Sequence, residues 1–288
     1  MVPALDEDGD DLVIRMPGIG GTGVVTVAQI IGTAAMLEGF HVRGLDQTGL
    51  SQKAGPVVSD LVLSRDEQQG SNKAAAGGVD VMLAFDLLGA SADAQLKGAS
   101  RDRTIVIGSA SATPTGKMVL HPTLEYPHRD EMERRLDANS RTDLNHYAPA
   151  TELAAGLFGD SATANVLLAG VALQAGVLPI SVENMERAIE LNGVAVERNI
   201  AALRWGRQWV VDAESVVAAA GLAAAATEGT DVHIDELHTN PVDRFAADLV
   251  GYQSAAYSRH YLATIEEIRA AGATREVVEA VVHNLSTS

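Results

Sequence analysis

The chain has 288 residues, 47% of them hydrophobic, which is enough for one large or two ordinary domains with true cores. Its formal net charge of −17 repels nucleic-acid phosphates and anionic lipid alike. It has no cysteine, so it can supply neither disulfides nor the thiolates of an iron–sulfur cluster.

Residues 1–11, "MVPALDEDGDD", are acidic and lack the basic start and apolar core of a signal peptide, and read as a flexible tail. No run approaches the roughly 18 apolar residues of a membrane span. A cytoplasmic protein is expected. "DEDGDD" lacks the terminal glutamate of a calcium loop.

Leu12 to Met16 reads as a buried strand ended by Pro17 and Gly18, and Val24 to Leu37 as a helix closed by Gly39. Phe40 to Asp46 and Pro56 to Ser64 follow as strands, the second with one partly polar face at Val58, Asp60 and Val62. "GGVDVMLAFDLL" and Arg103 to Ser109 are further strands, with a short helical stretch "ASADAQLKGA" between them. Strands alternating with helices predict an α/β fold, a Rossmann-like, doubly wound, mostly parallel sheet with helical layers. Ser111 to Pro127 reads as an irregular excursion with room for one short edge strand.

"GDSATANVLLAGVALQAG" predicts a helix capped by Asp160 or Ser161 and stopped at Gly176, and Ser181 can cap the next one, with Glu183 in its first turn. Val196, Ile200 and Leu203 share a face of its continuation towards Trp209. The expected division is an α/β domain over 12–210, a linker over 211–240 and a C-terminal helical extension over 241–288. In the extension Phe245, Leu249, Tyr252 and Ala256, then Tyr261, Ile265 and Ile268, recur at helical spacing. Tyr252, Tyr257 and Tyr261 are there for packing.

Gly18, Gly20 and Gly23 spell G-x-G-x-x-G between a strand and a helix. Such a turn lets backbone N–H groups and the positive end of the helix dipole face an anion. Asp46, roughly 20 residues further on, stands where a ribose-binding carboxylate is expected. On pattern alone an NAD(P)-dependent oxidoreductase is a reading of this motif, and a ligand-free tight turn is another. The next loop complicates both, because "LDQTGLSQKAG" places Gln47, Thr48, Gln52 and Lys53 among glycines directly before a strand, as a second polar site would. Lys53 reads equally as an anion ligand or a solvated loop cation.

The pairing of "GIGGTGVVTVAQIIGTAA" with "GLDQTGLSQKAGPVVSDLVLS" resembles the gamma-type domain of the thiamine-dependent 2-oxoacid:ferredoxin oxidoreductases. "VDVMLAFDLL", "GDSATANVLLAGVALQAGVLPIS" and "AIELNGVAVERNIAALRWGRQW" are similar, in the same order, to the fused indolepyruvate ferredoxin oxidoreductases. "LVGYQSAAYSRHYLATIEEIR" resembles the helical region that follows the domain there. The resemblance implies an enzyme complex in which a 2-oxo acid is decarboxylated on thiamine pyrophosphate with magnesium, the acyl group passes to coenzyme A, and electrons leave through iron–sulfur clusters to ferredoxin. It assigns this chain the gamma part, with no catalytic residue and no metal of its own. Its partners are thiamine-binding and cluster-bearing domains in a paired, dimeric assembly, ferredoxin being met only indirectly.

On that resemblance Gly18, Gly20, Gly21, Thr22 and Gly23 shape a turn at an interface, and Asp46, Gln47, Thr48, Gln52 and Lys53 face the thiamine domains. Family members carry an Arg-Gly-Gly run where this chain has "QKAG", so Lys53 offers a point charge in place of a bidentate fork. The fused enzymes are far longer, so the chain is expected to be a piece of one or a separate subunit, and its ending inside a helical region favours the piece. A stand-alone NAD(P) enzyme and a purely structural assembly subunit are the rival functions.

Asn165 and Asn199 lie in otherwise apolar helices, where a buried amide needs partners, and are expected to cap loops. Asp86 follows a strand's carboxyl end and is placed either to face a ligand or to cap the next helix. His121, His128 and His146 match no zinc spacing.

Overall fold

The computed structural model describes residues 11–48, 55–66, 71–112 and 126–222. The expected helices beyond 241, with their tyrosines, and Gln52, Lys53 and His121 lie outside the described residues. The chain divides into two units, 1–225 and 226–288, and the described residues all belong to the first.

A six-stranded sheet forms the frame, with β1 (Leu12–Ile19), β2 (His41–Thr48), β3 (Pro56–Ser64), β4 (Val81–Ala84), β5 (Ile105–Ser109) and β6 (His146–Ala148) in the order β2-β3-β1-β4-β5-β6. β1, β4, β5 and β6 are mutually parallel, while β3 runs antiparallel to both of its neighbours. The mostly parallel sheet expected from the alternation is therefore present, with one reversed strand. Length explains the reversal: residues 49–55 are too few for the dozen or so that a parallel crossover needs.

Helices cover both faces. On one, α1 (Val24–Leu37) and α6 (Ala164–Gln174) pack with the sheet, and α5 (Ala150–Phe158), α7 (Val182–Asn192), α8 (Val196–Val211) and α9 (Ala213–Ala219) complete the layer. On the other, α2 (Leu87–Ala90), α3 (Asp93–Leu96) and α4 (Arg129–Asp137) accompany a smaller cluster built on Met82, Ala84, Val106, Met132 and Leu136. Ten of the eleven residues of α6 are buried, which accounts for a sequence apolar on every face.

α6 and α8 cross at glycines. A Cβ on Gly206 would lie 1.8 Å from the Leu167 carbonyl oxygen, and one on Gly170 would lie 2.2 Å from that of Leu203, so the two backbones touch. Gly156 receives the end of α9 in the same way, 2.1 Å from the Ala220 carbonyl oxygen.

Several expectations need correction. The polar face at Val58, Asp60 and Val62 is buried: Asp60 accepts two 2.8 Å bonds from the Arg15 guanidinium directly opposite it on β1. Asp160 and Ser161 do not cap α6, which starts at Ala164; Asp160 instead accepts the Ala162 N–H at 2.9 Å and pairs with Arg198 at 2.6 Å. Its carboxyl is held below the ordinary range, first by that N–H and then by Arg198. The helix after Ser181 does not continue to Trp209, because Gly193 (φ 74°) closes α7 and Ala195 (φ 42°) opens α8. α4, α5 and β6 are additions to the elements expected from sequence. In the segment 211–240, the described part holds α9, whose Val216 is buried. Ser181 caps α7 as expected, accepting the Asn184 N–H at 3.2 Å.

Candidate functional site

The carboxyl ends of β1, β2, β4, β5 and β6 share one edge of the sheet, where open α/β sheets place ligands. β1 runs into Gly20 and the turn Gly21–Gly23. Gly21 (φ 89°) and Gly23 (φ 88°) occupy the left-handed region, which only glycine adopts without strain, and among the described residues nothing lies within 4 Å of a Cβ built on either. Gly23 is the N-cap of α1 and has no side chain to accept from the first-turn N–H groups, so the positive end of the helix faces the loop uncapped.

Gly18 serves close packing instead, since a Cβ there would lie 2.5 Å from Val24 Cγ2 and 3.2 Å from Phe85 Cβ. It lets the end of β1 pack under α1 and against the end of β4. Gly20 donates its N–H to the Gly55 carbonyl at 2.7 Å, which joins the first glycine loop to the second. Thr22 folds back, its N–H and hydroxyl both donating to the Ile19 carbonyl, at 3.3 and 2.7 Å.

Asn165, in the first turn of α6, donates from Nδ2 to the Thr22 carbonyl at 2.8 Å and fixes the loop from above. Asn199 likewise donates to the Val194 carbonyl at 2.9 Å, so both amides cap loops as expected. The Asn165 contact spans 143 positions of sequence. Its only sequence signal is an amide in an apolar helix.

Asp86, at the end of β4, caps α2 by accepting the Gly89 N–H at 2.7 Å. Its other oxygen is buried with no hydrogen-bond partner among the described residues, and burial pushes its carboxyl above the ordinary range despite the opposing Gly89 and Leu88 N–H bonds. Ser111 and Glu152 hydrogen-bond to one another beyond β5, and Ser111 accepts the Thr151 N–H at 3.0 Å.

Asp46 does not join the glycine loop. It lies on β2, two strands from β1, so about 10 Å of sheet separates the two. Its Oδ1 accepts the Ser59 hydroxyl at 2.5 Å. β3 takes the place beside β1 from which a ribose carboxylate would reach a nucleotide on the loop, and the nicotinamide reading loses its geometry. Gln47 and Thr48 continue β2 as exposed residues, with Thr48 level with Gly18 across the sheet. His128 stands at the start of α4 and His146 on β6, apart in the fold. Among the described residues no three His, Asp or Glu side chains gather as a metal site.

This edge thus offers an open glycine turn, held from below by β1 and from above by Asn165, and beside it the start of a second loop. The model of one family, described as pyruvate ferredoxin/flavodoxin oxidoreductase, matches residues 13–209. The chain belongs to that family. The match runs from β1 almost to the end of α8 and so takes in both glycine loops and Asn165.

Among curated proteins, the indolepyruvate oxidoreductase subunit IorB of Pyrococcus horikoshii is 28% identical over 195 residues, covering 67% of this chain and 93% of that one. IorB of Archaeoglobus fulgidus is 28% identical over 202 residues, covering 68% and 93%. Among solved structures, the pyruvate oxidoreductase subunit PORC of Thermotoga maritima superposes with a TM-score of 0.50 at 19% identity, covering 69% of this chain and 96% of that chain, a likeness of fold.

Proposed function

We propose that this chain is the gamma-type part of a 2-oxoacid:ferredoxin oxidoreductase of the indolepyruvate kind, and that it works in the cytoplasm, assembled with thiamine-binding and cluster-bearing partners. The observation that carries this is the family match over 13–209, which covers the described α/β domain, together with IorB relatives matched over 93% of their length.

The chemistry of the chain agrees. A chain without cysteine does not fit an iron–sulfur cluster, so the clusters belong to a partner. The family resemblance places the thiamine diphosphate and its magnesium on a partner domain, and this reading keeps them there. What this chain supplies is shape. Gly20, Gly21 and Gly23 leave room for a partner's backbone or a bound anion to approach, Asn165 holds Thr22 in place, and Gln47 and Thr48 extend the same edge; Gln52 and Lys53, which follow in sequence, are proposed to face the thiamine domains and coenzyme A with them.

The test is reconstitution. Partner subunits from the same genome are assayed with coenzyme A, a viologen acceptor and a panel of 2-oxo acids, with and without this chain. Aryl-substituted 2-oxo acids are expected to reduce the acceptor only when the chain is present. Full turnover in its absence overturns the proposal, and so does micromolar NAD(H) binding by the isolated chain that is lost on Asp46→Ala.

A further inference from the structure

Residues 191–195, from the last turn of α7 to the start of α8, do little for the chain's own stability. Leu191 is 56% exposed and Val194 60% exposed. Ala195 (φ 42°) is left-handed, alone among the described residues other than glycine, and its Cβ makes that conformation costly. Asn192 Oδ1 is buried with no hydrogen-bond partner among the described residues. Apolar exposure, backbone strain and an unsatisfied acceptor thus fall within five residues, and departures of that kind gather where a surface is shaped for function. The connection is nevertheless held firmly. Gly193 donates its N–H to the Ile189 carbonyl at 3.2 Å, and Asn199 donates from Nδ2 to that of Val194 at 2.9 Å.

The fold brings this connection to the edge that carries the glycine turn. α7 starts beyond the far end of α1, where the Ser181 N–H meets Glu38 Oε1 at 2.5 Å, and packs along α1. It therefore runs back towards the turn, its 11 residues spanning about 16 Å of the roughly 21 Å of α1. Arg198, in the first turn of α8, pairs with Asp160 at 2.6 Å and donates to the Phe158 carbonyl at 3.1 Å, in the loop that leads into α6. α6 in turn brings Asn165 to Thr22.

We infer that Leu191 and Val194 form an apolar knob that seats in an apolar pocket of the thiamine-bearing partner, beside the glycine turn. This rests on the function proposed above and says where the partner grips. Two branched aliphatic side chains offer no hydrogen bond to a small polar ligand, so what they recognise is apolar surface. Glu190 and Glu197 flank them in a chain of net charge −17, which turns them away from anionic lipid and leaves a protein pocket. The left-handed turn at Ala195 and the Asn199 bond fix Val194 before the partner arrives, so binding has little left to order. Met36 and Leu37 are exposed too, but they close α1 at the opposite edge, and exposed apolar residues without such strain beside them are ordinary.

The test titrates the full chain into the purified thiamine- and cluster-bearing subunits, following association by calorimetry and turnover by acceptor reduction. Leu191→Asp and Val194→Asp should each weaken association at least about ten-fold, because each carries a charge into the pocket. At saturating chain both should reach the parent's kcat, since neither residue touches the reacting groups. Met36→Asp, the same change at the opposite edge, should leave affinity unchanged. Leu191 and Val194 are more than half exposed, so circular dichroism of the free variants should match the parent. Independently of any variant, amide exchange at 193–196 in the unaltered chain should slow when the partner is added. Normal affinity of both Asp variants, equal weakening by Met36→Asp, or exchange that the partner leaves unchanged overturns the inference while the proposed function stands. A parent chain that does not associate at all overturns both.

Discussion

In the turn between β1 and α1, Gly21 and Gly23 take positive φ and a Cβ at either would meet nothing within 4 Å among the described residues; at the α6–α8 crossing, Gly206 would drive a Cβ to 1.8 Å from the Leu167 carbonyl oxygen. The first region needs glycine for its backbone conformation and leaves open space in front of it. The second needs glycine because two backbones already fill the space. Gly18 shows that the G-x-G-x-x-G pattern mixes the two demands, since it lies in the strand and clears Val24. A pattern built from such different requirements can therefore recur without a dinucleotide.

Substitutions can break this contrast or sharpen it. The largest effect is expected beneath both regions, at the Arg15–Asp60 pair that braces β1 to β3. Arg15→Ala strands a buried carboxylate and should cost about 3–5 kcal/mol in urea unfolding. A loss below about 1 kcal/mol would mean that water reaches Asp60.

Next comes a matched pair of substitutions. Gly206→Ala should cost about 3 kcal/mol, because the helices must separate, whereas Gly23→Ala should cost only the about 1–2 kcal/mol of a left-handed residue with free space around it. Equal losses in chemical denaturation would erase the distinction between the regions. Asn165→Ala removes the hydrogen bond to the Thr22 carbonyl and should cost about 1 kcal/mol. Amide exchange should quicken at Gly21–Val24 and stay unchanged at the α6–α8 crossing; faster exchange at both would tie the loop to the helical layer.

The smallest effect concerns pH. Glu38, after α1, accepts the Ser181 N–H, and its carboxyl is held below the ordinary range mainly by its hydrogen bonds to Ser181. A carboxyl depressed in the folded state stabilises it above the unfolded value, near 4.5, and that stabilisation fades as pH falls through the folded value. Glu38→Gln should therefore lower the melting temperature slightly at pH 7, by an amount that shrinks as pH falls below about 4.5. A difference that stays constant as pH falls would assign the effect to packing.

Much of this fold is legible in the sequence. β-branched runs and glycine stops locate five strands and α1 because those signals are local. Ser181 and Asn199 act within a few residues of themselves, so their capping roles can be read from their neighbours. β6, with three residues, has too little pattern to be seen. The burial of Asp60 depends on Arg15, which meets it only across the β1–β3 ladder. The same holds for the site: the glycine turn is visible, but the displacement of Asp46 comes from β3 sitting beside β1. Only the seven-residue connection over 49–55 hints at that.

The central claim, that this chain presents a shaped edge to a partner's reaction centre, is tested most directly by titrating it into the purified thiamine- and cluster-bearing subunits from the same genome. The account predicts saturable one-to-one association that restores 2-oxo-acid-dependent acceptor reduction. No association, accompanied by reduction of a nicotinamide by the chain alone, would contradict it.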